Sequence, residues 1–233
     1  MGADDHPPGE YLHVTDFMSG HSTEDNCKHF LVVLNYNLPK FTPSVWSRAR
    51  LRLCADGGAN RLFDDLPGHF PNESADAVRK RFVPDVIVGD LDSLRPDVRA
   101  FYAARGSVVI DKASDQDTTD LHKCIAFLED KLDSEPRSSL CQSKILIVGG
   151  LGGRVDHEFG NYNVLHIFAS LPLVLLGDSA FVQLLPRGTN RIIPVGLLSR
   201  PHYQFSISYV SHHGLPLLAP SSLLPEFEFA FNA

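Results

Sequence analysis

The sequence predicts an α/β protein built on a parallel sheet with helices on both faces. Three observations carry this. Short, continuous apolar runs alternate with amphipathic stretches at helical spacing. The runs are apolar on consecutive residues, as in strands buried on both faces. Polar or glycine-rich stretches follow them: Asp56-Gly57-Gly58, Asp90-Leu91-Asp92, Asp115-Gln116-Asp117-Thr118-Thr119-Asp120 and Gly149-Gly150-Leu151-Gly152-Gly153-Arg154-Val155-Asp156. Open α/β sheets bind ligands beyond the carboxyl ends of their strands, so four such stretches on one rim predict a site.

Residues 1–28 are polar and aperiodic and read as a disordered leader. Phe30–Asn35 is the first strand. Pro43 opens a helix with Trp46 on its buried face. Leu51–Ala55 is a strand, Gly57 and Gly58 turn the chain, and Ala59–Leu66 is helix. Leu66–Pro84 reads as a surface insertion with a short helix at 75–80. Asp85–Val88 is a strand. Pro96 opens a helix that Gly106 closes. Ser107–Ile110 is a strand, and Asp117–Leu132 an amphipathic helix with Leu121, Cys124, Ile125 and Leu128 on one face. After a polar loop at 135–143, Ile145–Val148 is a strand and Asp156–Phe168 a helix. Further strands are predicted at 173–176 and 181–185.

Beyond Asn190 the character changes. From Ile192 onward the charged residues are Arg200, Glu226 and Glu228, and Pro194, Pro201, Pro216, Pro220 and Pro225 interrupt the chain. Prolines at this spacing break most regular elements. The stretch 192–233 therefore reads as a poorly packed Pro/Leu-rich tail, with at most one short strand at 203–210.

The 233 residues suit one large domain or a domain with a smaller partner, and the 43% hydrophobic and 21% charged content is that of a globular chain. A net charge of −7 argues against a nucleic-acid partner. Cys27, Cys54, Cys124 and Cys141 are scattered, with no zinc spacing. No apolar run is long enough for a membrane helix. The first residues resemble neither a signal nor a transit peptide, so the expected compartment is the cytosol.

The chemistry starts at Val86–Ser93. On an extended backbone Asp90 and Asp92 would share a face. Carboxylates ~5 Å apart repel by roughly 3 kcal/mol at an effective dielectric of about 20. A divalent cation relieves that, and hard oxygen ligands favour Mg²⁺. Asp-x-Asp also occurs in ordinary turns, calcium loops and sugar-nucleotide transferases. Asp115, Asp117 and Asp120 read either as helix-capping acids or as a second carboxylate cluster facing the first. The glycines before Arg154 suit phosphate contact at a helix N-terminus, or else form a flexible loop. They match neither the Walker A loop nor the dinucleotide fingerprint. Together these features point to phosphoryl or diphosphoryl transfer from a nucleotide.

Cys54–Arg61, Gly89–Ser93, Asp115–Asp120 and Gly149–His157, with Arg95–Arg99 and Leu184–Pro186, resemble the motifs of thiamine pyrophosphokinase, the plant members most. The resemblance runs from about Phe30 to Asn190. It implies transfer of diphosphate from ATP to the thiamine hydroxyl, giving thiamine diphosphate and AMP. It also implies a Rossmann-like domain over 29–171, a β-sandwich whose first strands fall at 172–191, and a homodimer. Carried over by motif, Asp90, Asp92 and Asp120 are expected to bind Mg²⁺ and, with Arg154, to be catalytic. Asp56, Gln116, Asp117, Thr118, Thr119, Gly152, Gly153 and Asp156 are expected nucleotide or phosphate contacts. The sandwich is incomplete here. Only Ile193-Pro194-Val195-Gly196 echoes the family beyond Asn190, and the sole tryptophan, Trp46, lies elsewhere. The family's thiamine-binding serine and aromatic have no counterpart. Such a tail would arise from alternative splicing or an out-of-frame gene reading. The alternative function is then a non-catalytic variant that keeps ATP and Mg²⁺ and dimerises with full-length subunits.

Overall fold

The computed structural model describes residues 9–14, 29–133, 143–178, 180–186, 188–193, 206–210, 216–219 and 227–230. In chain order the strands are β1 (Gly9–Val14), β2 (His29–Val33), β3 (Ala49–Ala55), β4 (Val86–Gly89), β5 (Val108–Asp111) and β6 (Ile145–Val148). They continue as β7 (Leu173–Leu176), β8 (Ala180–Leu184), β9 (Gly188–Ile193), β10 (Ser206–Val210), β11 (Pro216–Ala219) and β12 (Phe227–Ala230). The helices are α1 (Thr42–Arg48), α2 (Gly58–Asp64), α3 (Ala75–Arg81), α4 (Pro96–Ala103), α5 (Asp120–Asp133) and α6 (Val155–Ile167). The chain divides into two units, Asn26–Asp178 and Met1–Asp25 with Ser179–Ala233.

The first unit is the predicted parallel sheet. Its strands lie in the order β7-β6-β2-β3-β4-β5, every pair parallel. Leu31, Val32 and Val33 of β2 are fully buried, as β-branched and leucine side chains covered on both faces should be. The chain runs outward from β2 to β5, then returns to lay β6 on the other side of β2. The strand order therefore reverses between β2 and β6, and a crevice opens at their carboxyl ends.

Local signals set the helices. Pro43 and Pro96 stand in the first turns of α1 and α4. Ser74 caps α3, its hydroxyl accepting from the Ala77 N–H at 3.3 Å. Gly106, at φ +95°, turns the chain between α4 and β5. Along α5, Leu121, Cys124, Ile125, Leu128 and Leu132 are buried, and so is Lys123. That helix starts at Asp120 rather than Asp117. Asp115 accepts the N–H groups of Asp117 and Thr118, each at 3.1 Å, and folds the preceding residues into a turn.

In the second unit β9 lies between parallel β1 and antiparallel β12. β10 lies between parallel β8 and antiparallel β11. Two expectations are corrected here. Residues 9–14 form a strand rather than disordered leader, because Gly9–Val14 pairs in parallel with Gly188–Ile193 of β9, on the side away from β12. The tail carries three strands, not one. Pro216 is the first residue of β11, which among the described strands has only β10 beside it, and proline is tolerated at the start of an edge strand. The rest of the leader, the tail residues between these strands and nearly all of the 135–143 loop lie outside the described residues.

Candidate active site

β3 delivers Asp56 to the rim. Its backbone N–H continues the sheet by donating to the Val88 carbonyl at 2.9 Å, and its φ of +41° then turns the chain. The turn runs directly beneath β2, and a Cβ on Gly58 would sit 2.1 Å from the Val33 carbonyl oxygen. Only glycine fits there. Asp56 is 0% exposed. One carboxylate oxygen, Oδ2, accepts the Ser93 N–H at 3.0 Å. The other, Oδ1, is buried with no hydrogen-bond partner among the described residues. Burial first, then the neighbouring Asp120, Asp90 and Asp92 charges, against the Ser93 hydrogen bond, push its pKa up to about 6.

β4 ends at Gly89, wedged between two acids. A Cβ there would lie 2.6 Å from the Asp56 Cβ and 3.2 Å from Asp120 Oδ1. Asp90 and Asp92 follow, but not on extended backbone. Leu91 between them has φ +66°, so a turn brings the carboxylates together instead of strand alternation. The Ser93 hydroxyl donates to Asp92 at 2.9 Å. Oxygens of Asp56, Asp90 and Asp92 all lie within 4.8 Å of one another. Asp120, at the start of α5, faces this group. Its Oδ1 is buried without a hydrogen-bond partner among the described residues, and burial followed by the Asp90 charge raises its pKa.

Lys123, one turn into α5, reaches into the same cluster. Its Nζ is 3.1 Å from Asp90 Oδ2 and 3.7 Å from Asp120 Oδ1. Burial alone would push Asp90 up. The hydrogen bonds from Lys123 and the Asp92 N–H outweigh it and hold Asp90 below the usual carboxylate range.

The glycine loop leaves β6 with Gly149, Gly152 and Gly153 at φ +75°, +86° and +80°. The Tyr36 ring packs against it, and a Cβ on Gly153 would come within 2.6 Å of that ring. The Asn161 amide donates to the Gly150 carbonyl at 2.8 Å. Glu158 accepts the Gly152 N–H at 3.3 Å and the Tyr162 hydroxyl at 2.7 Å, which ties the loop to α6. Arg154 pairs with Asp156 on the surface, its Nε and Nη2 each donating to one carboxylate oxygen. This pairing lowers the Asp156 pKa to about 2.

A cavity of about 730 Å³ opens between the strand ends, entirely within the first unit. Asp90, Thr118, Thr119, Asp120, Gly152, Gly153, Arg154 and Asp156 line it, as do Asn35 and Tyr36. Asp56 and Asp92 are absent from its wall, yet converge with Asp90. Gln116 and Asp117 are exposed and also off the wall. The Gln116 amide donates to the Ala113 carbonyl at 2.9 Å. Lys123, Tyr36 and Asn161 escaped the sequence reading. Asn35-Tyr36 follows a strand end, the same signal that flagged the other four stretches. Lys123 stands at i+3 from Asp120, a spacing at which helical side chains meet. Glu158, on the first turn of α6, holds the loop.

Chemically, three converging acids, with Asp120 facing them and the buried Asp56 Oδ1 without a hydrogen-bond partner among the described residues, suit a hard divalent cation. The loop backbone and Arg154 suit phosphate oxygens on the opposite wall.

Residues 42–175 match the family model described as thiamin pyrophosphokinase, catalytic domain. The chain is 51% identical over 193 residues to thiamine pyrophosphokinase 3 of Oryza sativa subsp. japonica, covering 82% of this chain and 68% of that protein. It is 50% identical over 181 residues to thiamine pyrophosphokinase 1 of Arabidopsis thaliana, covering 77% and 67%. It thus spans about two thirds of the length of these relatives. The fold matches the crystal structure of yeast thiamin pyrophosphokinase with a TM-score of 0.65 at 22% identity, covering 83% of this chain and 71% of that one.

Proposed function

The chain belongs to the thiamin pyrophosphokinase family, kinase-type transferases, and from that membership we propose that it transfers diphosphate from ATP to the hydroxyl of thiamine. The observation that carries this reading is the convergence of Asp56, Asp90 and Asp92 within 4.8 Å beside a cavity whose other wall is the glycine loop and Arg154. The thiamine oxygen bonds to the β-phosphorus of ATP as the bridge to the α-phosphate breaks. Thiamine diphosphate forms, AMP leaves, and the hydroxyl proton is released.

Asp56, Asp90 and Asp92 would hold Mg²⁺, with Asp120 facing them across Gly89, and the buried Asp56 Oδ1, which has no hydrogen-bond partner among the described residues, fits that ion. Bound there, Mg²⁺ neutralises and orients the phosphates that otherwise repel the incoming alcohol oxygen. The loop glycines bring backbone N–H groups to the phosphate chain. Arg154 exchanges Asp156 for a phosphate, a trade between exposed partners that costs little. Thr118 and Thr119 offer hydroxyls on the cavity wall. Gln116 and Asp117 belong to this reading only as outer contacts, since they are exposed and do not line the cavity. Positioning of the two substrates supplies most of the remaining acceleration.

A homodimer is part of the proposal. Val155, Phe159 and Ile167 are 65%, 66% and 52% exposed on α6, an apolar stripe that a second copy would cover. The cytosol is the proposed compartment, consistent with Cys54 and Cys124 as free thiols. No helix among the described residues is long and apolar enough to cross a membrane.

The test is turnover. Purified protein with ATP, thiamine and Mg²⁺ should give thiamine diphosphate and AMP in equal amounts, and Asp92→Asn should abolish both. Release of ADP instead would refute diphosphate transfer. ATP binding without product would point to the non-catalytic variant, which the close identity to the plant relatives does not favour.

A further inference from the structure

Lys123 is buried, its side chain 2% exposed. Withdrawing an ammonium from water costs several kcal/mol unless partners repay it. Here Asp90 and Asp120 do so, at 3.1 and 3.7 Å. The acids thereby split into two groups that share Asp90. Asp56, Asp90 and Asp92 converge within 4.8 Å. Asp90 and Asp120 flank Lys123.

Charge makes the split meaningful. Four carboxylates with one lysine carry three net negatives, and one divalent cation leaves one. Two divalent cations beside Lys123 would leave the cluster positive before any phosphate arrived. Sites that do hold two metals place them about 3.5–4 Å apart. In this chain a shared carboxylate, Asp90, already has a cation on one side.

We infer that Lys123 is a positioning residue standing permanently where a second divalent ion would otherwise bind, between Asp90 and Asp120. It keeps those two acids in place when the nucleotide departs, and it limits the nucleotide-free cluster to one divalent ion on the Asp56–Asp92 side. This rests on reading the cluster as the cation site of the proposed enzyme.

The experiment is a Mn²⁺ titration of the full purified chain without nucleotide, counting bound ions by the electron paramagnetic resonance signal of free Mn²⁺. Wild type should bind one ion per chain. Lys123→Met should bind two, and Lys123→Arg one. The melting temperature of Lys123→Met in EDTA should lie below that of wild type and rise more on adding Mn²⁺. Two ions, or none, in wild type overturns the inference, and that measurement needs no variant. So does a Lys123→Met protein that binds one ion and responds to Mn²⁺ no more than wild type. Failure of wild type to make thiamine diphosphate is read separately. With ion counts as expected, it would reject the enzyme and leave the role of Lys123 standing.

Discussion

Replacing Asp56 by asparagine separates the folding cost of the carboxylate cluster from its use. Asp56 is fully buried, with one oxygen satisfied by Ser93 and one by nothing among the described residues. Its pKa is raised from 3.8 to about 6, chiefly by burial and then by the neighbouring acids. Between those values the folded chain takes up a proton that the unfolded chain does not. The contribution of Asp56 to stability is therefore fully present below about pH 4 and is lost as the pH rises through about 6. The size of the loss follows from the shift, about 3 kcal/mol at neutral pH. An asparagine side chain at this position has no charge to bury. Its carbonyl can still accept the Ser93 N–H, while its amide can donate toward the remaining acids. Urea unfolding in EDTA across this pH range measures the difference between variant and wild type. Asp56→Asn should gain about 3 kcal/mol on wild type in going from about pH 4 to about pH 7.5. Adding Mg²⁺ at the higher pH should raise the wild type and largely fail to raise the variant. A stability difference that stays flat with pH, or a variant that loses ground as the pH rises, would refute the reasoning.

Four further outcomes are expected. Gly153→Ala puts a Cβ 2.6 Å from the Tyr36 ring at φ +80°, so the KM for ATP should rise about tenfold while the thiamine KM stays nearly constant in initial-rate assays. Arg154→Ala removes an exposed pair, so the urea midpoint should hardly move, but the KM for ATP should rise roughly tenfold. Leu31→Ala in the central strand should cost about 2–5 kcal/mol in urea unfolding. Arg95→Ala breaks a salt bridge to Asp64 whose partners are 42% and 40% exposed, so less than about 1 kcal/mol should be lost, with turnover intact.

The parallel sheet was readable from the sequence because its strands are buried on both faces and leave continuous apolar runs. Ile145–Val148 and Leu173–Leu176 have the same limits in the sequence reading and in the structure. The start of α5 was misplaced because Asp115 and Thr118 favour a local turn over a first helical turn, a choice that apolar periodicity does not register. The leader strand β1 and the tail strands β11 and β12 have no such signal, whereas β10 falls within the expected 203–210. β1 borrows its partner from β9, about 180 residues away in sequence, and no local pattern announces such a pairing.

The site was readable as four stretches on one rim, but not as a charge arrangement. Strand alternation along Val86–Ser93 pairs Asp90 with Asp92. They do meet, but through the left-handed turn at Leu91. The family motifs group Asp120 with those two and place Asp56 nearby, as a nucleotide or phosphate contact. In the folded chain Asp56 is one of the converging three, because β3 and β4 are adjacent and Gly89 leaves room for its side chain. Asp120 lies across Gly89 from it, facing Lys123. Spacing along a chain shows which acids can meet. Which of them share a cation depends on where the neighbouring helix places its lysine. Lys123 sits among the apolar residues of α5, where a helical pattern would sort it as a solvated interruption. A basic residue on the buried face of a helix that begins with an acid at i−3 is the signal that could have found it. The physical ground is that a buried ammonium cannot stand alone, so its position in the pattern requires acids opposite it.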